Sequence, residues 1–262
     1  MMTVSGPAIP LYSWNDHPNF GDQLSAAVVA WVTARPVVRV AATHRGKLIA
    51  VGSVLDQALD GDVVWGTGVP PMCYDAYYAR PGRLAFLNLR RRVPKIRVLA
   101  VRGPFTRDVL LANAVDCPPL FGDPALILPH FFDPPRRNRH AVALVPHLED
   151  IGRYRDCGVP TIDVRQDWQR VVSEIVACER IISTSLHGLV VAEAYGIPAV
   201  WLRETCSHGF VKFVDYYLGT GRAINPRYTL ADALACEAAP PPPFDCGCLI
   251  AALRDAPALP VV

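Results

Sequence analysis

Two rhythms of apolar and polar positions alternate along the chain. Short continuous apolar runs, bounded by Gly, Pro, Asp or Ser, read as strands buried on both faces. Between them, apolar residues recur three and four apart, the spacing of amphipathic helices. Ile9–Trp14 reads as a first strand and Asn15–Gly21 as a polar turn. From Asp22, DQLSAAVVAWVTA predicts a helix with Asp22 as its N-cap. KLIAVGSVL predicts a strand broken at Gly52-Ser53, and DVVWGTGVP a strand ending at Gly66 and Gly68. IRVLAVRGPFTRDVLLANA predicts a strand to Val101, a turn at Arg102-Gly103 and a helix opened by Pro104. FGDPALILP repeats the strand-end logic at Gly122-Asp123-Pro124. Beyond a Pro-rich, charged stretch at 131–140, AVALVPHLED and TIDV read as strands, and DWQRVVSEIVACE as a helix capped by Asp167. IISTSLHGLVVAEAYGIPAVWL reads as strand, polar turn, helix, Gly-Ile-Pro turn and strand. From Ala238 a run of prolines and Cys246-x-Cys248 predict an irregular tail.

Strands that alternate with helices and are apolar throughout argue for parallel sheets covered on both faces. The expected architecture is α/β, with two doubly wound, mostly parallel-sheet domains facing a cleft. The expected boundaries are 1–132, 139–237 and the tail 238–262. In such sheets ligands bind at the carboxyl ends of strands, where the glycine turns lie.

Composition narrows the function classes. The 262 residues are 51% apolar, enough for a sizeable core, and the net charge of +2 is too small to suggest nucleic acid as a partner. Only Lys47, Lys95 and Lys212 are lysines, so anions would meet mostly guanidinium forks. Eight cysteines at irregular spacing, Cys73, Cys178 and Cys206 among them, suit reduced thiols, and no His/Asp/Cys spacing argues for a metal. No secretory signal is read and no apolar run approaches the ~18–20 residues of a span, so cytoplasmic residence is expected. Neither a phosphate-cradling GxxxxGK[ST] nor a dinucleotide fingerprint is present.

The candidate chemistry sits at the predicted strand ends. Asn19, Gly21 and Asp22 share one turn, and Ser53, Arg102, Asp123, His147 and Ser183 to His187 lie at others. Each of these residue types also makes good turns and caps. His187 is the one hardest to explain by packing. It lies in the first turn of a helix, beside unpaired N–H groups that attract anions. Ser183 or Ser185 could cap that helix and donate to a phosphate. Arg102 would point into the cleft mouth, suited to bidentate phosphate or carboxylate binding, with Arg107 near the same helix start and Arg222 as a second clamp.

Taken together, NFGDQLS, GSVLDQALDGDVVWGTGV, VRGPFTR, GDPALILP, VPHLED and SLHGLVVAEAYGIPAV resemble the polysaccharide pyruvyl transferase family, over most of the chain from Asn19 to about Arg222. The short length and YYLGTGR look closest to its bacterial exopolysaccharide ketal pyruvyltransferases. The resemblance implies a glycosyltransferase-B-like fold. It implies phosphoenolpyruvate as donor, a sugar acceptor carried on a lipid-linked oligosaccharide, no cofactor, and peripheral contact with the inner membrane. His187 would be the histidine of the LHG motif and the general acid, with Gly188 beside it. Arg102 would hold the donor. Asn19, Gly21 and Asp22, with Ser53 and Asp123, would face the acceptor in the amino-terminal domain, leaving the donor to the second domain. Many longer members of that family carry arginine directly before the LHG leucine. Here Ser185 stands there, so a donor contact is missing or is supplied by Arg222, Arg107 or Lys212.

Phosphoenolpyruvate needs at least two cationic or N–H-rich anchors, an acid to protonate its methylene carbon, and a base for each attacking hydroxyl. Asp22, Asp123, His147 and Glu193 are the candidate bases. The alternative is a nucleotide-sugar glycosyltransferase, which would use the same helix N-terminus for a diphosphate.

Overall fold

The computed structural model describes residues 5–70, 94–137, 139–203 and 209–262. Cys73 and Cys206 lie outside the described residues. The first half forms β1 (Ile9–Tyr12), α1 (Phe20–Thr33), β2 (Val37–Arg39), β3 (Leu48–Ile49), β4 (Val63–Trp65), β5 (Arg97–Ala100) and α2 (Pro104–Leu111). A 3-10 segment follows at Pro124–His130. The second half forms β6 (Ala143–Val145), α3 (Trp168–Val176), β7 (Ile181–Ser183), α4 (Leu186–Ala194), β8 (Ala199–Trp201), α5 (Phe210–Gly219), α6 (Leu230–Ala235) and α7 (Gly247–Arg254).

Among the described residues all strand pairs are parallel, as continuous apolar runs predict. The first sheet has the order β2-β1-β3-β4-β5. The chain winds outward in one direction from β1 to β2 and in the other from β3 onward, so the sheet has a switch point between β1 and β3. The second sheet has the order β6-β7-β8, extended by single bridges from Thr161 to Leu144 of β6 and from Leu202 to Arg227 beyond β8. Counting those bridges, it repeats the same winding, with its own switch point between β6 and β7. The predicted TIDV strand is reduced to the one bridge at Thr161.

One apolar core serves both sheets. Phe20, Leu24 and Val28 of α1 share it with Val171, Val172 and Ile175 of α3 and with Leu189 and Val190 of α4. Burying an aliphatic side chain of this kind is worth about 1.5–3 kcal/mol. The 3-10 segment at 124–130 packs against both α1 and α4, joining the halves.

Two expectations are corrected. Asn19, not Asp22, caps α1: its Oδ1 accepts from Gly21 N–H at 3.1 Å, and the helix starts at Phe20. Asp22 is thereby left inside the first turn with no capping role. At GDPALILP the strand-end turn is followed by the 3-10 segment, opened by Pro124 and capped by Asp123, which accepts from Ala125 N–H at 3.0 Å. The stretch after Ala238 carries a helix. Leu249, Ile250 and Leu253 of α7 enter the core, and the Leu249 carbonyl accepts from the Trp65 indole at 2.9 Å. The proline run hides this helix because its apolar pattern begins only after it.

Candidate functional site

The two switch points open into one cavity of about 820 Å³. The first contributes Asn19 and Asp22 after β1, and Gly52 and Ser53 after β3. The second contributes His147 after β6, and Ser185 and His187 after β7. Lys212 of α5 completes the wall, with Trp14, His17, Glu149, Arg155 and Arg165 around the rim. A second cavity of about 560 Å³, lined by Arg45, Asp62, Lys95 and Arg97, lies at the opposite, amino-terminal ends of β3 to β5, away from every strand-end turn.

The turn after β7 is built to hold α4 rigidly. The Ser183 hydroxyl donates to the Val145 carbonyl at 2.7 Å, and its oxygen accepts from Ser185 N–H at 3.0 Å. Thr184 Oγ1 accepts from His147 N–H at 2.7 Å and bonds Asp150 at 2.8 Å. A side chain at Gly188 would overlap Ser183 Oγ and Val145, so the helix lies on the sheet at glycine distance. Ser183 is wholly buried and committed to this turn. Ser185 is the N-cap of α4 but makes no side-chain capping bond, so the first turn of the helix, which lines the cavity, has N–H groups without a side-chain cap.

His187 sits in that first turn and crosses to the other half. Its ring lies against the backbone of Gly21, where any β-carbon would overlap Nδ1. Phe20 meets it edge-on at 6.4 Å. Nε2 points away from solvent toward Asp123 Oδ2 at 3.7 Å, and neither atom has another hydrogen-bond partner. Asp123 itself is fully buried behind the histidine and does not line the cavity.

Two cavity groups are displaced from their ordinary ionisation. Burial pushes the Asp22 carboxyl up to about 6, against the opposing pull of His187, Arg39 and Lys212. Burial, with Arg102 nearby, pushes the Lys212 ammonium down to about 8, while Glu149 and Asp22 act the other way. A carboxylate near 6 is mostly ionised at neutral pH yet accepts a proton readily, and an amine near 8 still carries charge there.

The arginines separate. Arg102 is fully buried rather than at the cavity mouth. Its Nη1 donates to Ser53 Oγ at 2.6 Å, and its Nε faces Asp215 Oδ2 at 3.4 Å. It therefore stands one residue behind the wall, with Ser53 between. Asp215 also accepts from Thr106 N–H and Oγ1, at 3.0 and 2.6 Å, tying α5 to the start of α2. Arg107 donates to the Cys117 carbonyl at 3.0 Å and does not reach the cavity. Arg222 pairs with Glu193 and donates to Tyr216 Oη at 2.9 Å, in a buried group linking α4 to α5 on the far side. Sequence reading missed Asp215; the signal was an acid inside the apolar run FVKFVDYYLG, three residues beyond Lys212.

Among the described residues no group of three or more His, Cys, Asp or Glu could hold a metal, and no helix is long and apolar enough to cross a membrane.

Comparison with known proteins adds the following. A family model described as polysaccharide pyruvyl transferase matches residues 57–205, more than half of the chain. The succinoglycan biosynthesis protein ExoV of Rhizobium meliloti (strain 1021) is 27% identical over 231 residues, covering 83% of this chain and 66% of that protein. An uncharacterized protein of Acanthamoeba polyphaga mimivirus is 30% identical over 130 residues, 44% of this chain and 45% of that one. The chain thus spans about half to two thirds of the length of these relatives. A crystal structure of an uncharacterized Klebsiella pneumoniae protein aligns with a TM-score of 0.44 at 11% identity, over 80% of this chain and 87% of that one.

Proposed function

The chain belongs to the polysaccharide pyruvyl transferase family, and on that premise we propose that it moves the pyruvyl group of phosphoenolpyruvate onto two hydroxyls of one sugar. The product is a cyclic ketal on an exopolysaccharide or its lipid-linked precursor, and phosphate is released. In this reading the two sheets are the halves of a glycosyltransferase-B-like pair, with the donor against the second and the acceptor against the first. The relative named for succinoglycan biosynthesis supports a polysaccharide acceptor. The observation that carries the reading is the meeting of His187, Lys212 and Asp22 in one cavity at the open N-terminus of α4.

The donor's anionic groups would lie between the first N–H groups of α4 and Lys212. Lys212 takes the place of the cation missing at Ser185, because Arg107 and Arg222 are committed elsewhere. His187 protonates the methylene carbon, which becomes the ketal methyl group. The resulting cation at C2 is attacked by one sugar hydroxyl, whose proton passes to Asp22. The second hydroxyl then displaces phosphate, which leaves with the remaining proton. His147, which lines the second-sheet side of the cavity and whose Nδ1 accepts from Glu149 N–H at 3.4 Å, is the second candidate acid–base group for that step. Lipid-linked acceptors would hold the enzyme loosely at the cytoplasmic face of the inner membrane.

Phosphate release from phosphoenolpyruvate, measured with a panel of lipid-linked and model glycosides, tests the reading. Acceptor-dependent release is expected, with a donor KM between about 1 μM and 1 mM. Turnover of a sugar nucleotide, with none of phosphoenolpyruvate, would replace it with a glycosyltransferase.

A further inference from the structure

Asp123 Oδ2 and His187 Nε2 are both shut off from solvent, both lack a hydrogen-bond partner, and face one another at 3.7 Å. Leaving either atom unpaired in the interior is costly, whereas an approach of under about 1 Å makes a charge-assisted bond that satisfies both. Asp123 cannot turn away to find another partner. Its other oxygen, Oδ1, is held by Ala125 N–H at 3.0 Å, and the segment it caps packs against α4. His187 is restrained as well, because its ring packs on the backbone of Gly21 and edge-on to Phe20.

We infer that Asp123 is the positioning residue of His187. Its free oxygen takes the hydrogen on Nε2, fixes the ring, and leaves Nδ1 as the nitrogen that delivers the proton. This assigns Asp123 to the donor chemistry through His187 rather than to direct contact with the acceptor. It rests on the pyruvyl-transfer reading for its consequence but not for its geometry.

The variant Asp123→Asn separates the possibilities. Ala125 N–H still demands an oxygen, so the amide NH₂ is forced to face Nε2. Nε2 must then accept, and the ring hydrogen moves to Nδ1. In nitrogen-15 histidine spectra, assigned against His187→Gln, the parent should show a hydrogen on Nε2 protected from exchange, and Asp123→Asn should show it on Nδ1. Phosphate release per folded molecule should fall about 10²–10⁴-fold, the range for losing a correctly held acid. A parent ring with its hydrogen on Nδ1 would overturn the inference, and that measurement needs no variant. An Asp123→Asn protein with unchanged tautomer and near-normal turnover, only a lower Tm, would also overturn it. If the parent shows the protected Nε2 hydrogen but never consumes phosphoenolpyruvate, the pair stands and the proposed reaction falls.

Discussion

The two turns that meet across the cavity are built on opposite plans. The turn after β7 is buried from Ser183 to Leu186 and cross-braced by side-chain bonds to β6 and to Asp150. The turn after β1 is exposed from Asn15 to Pro18, and one side-chain bond, from Asn19, marks its end. What the second turn contributes is an absence and a burdened charge: no side chain at Gly21, and a carboxyl at Asp22 that burial pushes up to about 6. Rigidity is concentrated on the side proposed to deliver a proton to the donor. The looser side is the one proposed to receive sugars, whose shapes vary.

The largest effect should come from the braced turn. His187→Gln keeps polarity and approximate size but cannot act as an imidazolium, so phosphate release per folded molecule should fall about 10²–10⁴-fold with little change in Tm. Near-normal turnover at saturating donor would remove His187 from the mechanism and shift the acid role to His147. Gly21→Ala tests the other turn's claim to the same residue. The new methyl overlaps the His187 ring, so either the ring or α1 must shift. A cost of about 1–3 kcal/mol in stability is expected, together with a loss of turnover of about 10²-fold as the imidazole leaves its place. A Gly21→Ala protein with full activity would show that the two turns act independently.

The alternation of strands and helices was legible because parallel sheets bury both faces and leave unbroken apolar runs. The strand-end turns were legible because Gly, Asn, Asp and Ser are demanded there. What could not be read was pairing across the chain. Nothing local says that Gly21 is small to admit a ring 166 residues later, or that Asp123 stands behind it. Arg102 looked like a cleft residue because it follows a strand. Its burial depends on Ser53 and on Asp215, whose helix lies far along the sequence. The marginal strand at Thr161 was over-read because β-propensity alone does not measure how much ladder a neighbour offers.

A smaller effect is expected where α5 bridges the two turns. Lys212 lies on the cavity within the field of both Arg102 and Asp22. Lys212→Met retains most of the stem's packing and removes the charge. The loss of one charge-assisted contact to an anion, about 1.5–3 kcal/mol, should raise the donor KM roughly 10–100-fold and leave kcat within a few-fold. Arg107→Ala should leave KM unchanged, since its guanidinium spends its Nε on the Cys117 carbonyl. Equal effects of the two substitutions would mean that no specific cation replaces the arginine absent at Ser185.

The smallest effect on stability concerns Asp22, and its sign is opposite to that for activity. Its folded value of about 6 stands above the ordinary 3.8, so the folded protein holds this proton more tightly than the unfolded chain does. Stability from this group is therefore greatest below about 4 and falls as pH rises through about 6, above which the ionised carboxyl is a constant burden. The full shift corresponds to about 3 kcal/mol at 1.36 kcal/mol per unit, and water in the open cavity reduces that to roughly 1 kcal/mol. Asp22→Asn should therefore raise stability by about 1 kcal/mol at neutral pH and change nothing near pH 4, as denaturant titrations at the two values would show. Turnover should move the other way. The parent should lose activity as pH falls through about 6, when the base becomes protonated. The variant should be slower at neutral pH and lack that limb. A variant no more stable than the parent at neutral pH, or one that keeps the parent's acidic limb, would take Asp22 out of that role and leave the turn after β1 with Gly21 as its sole contribution.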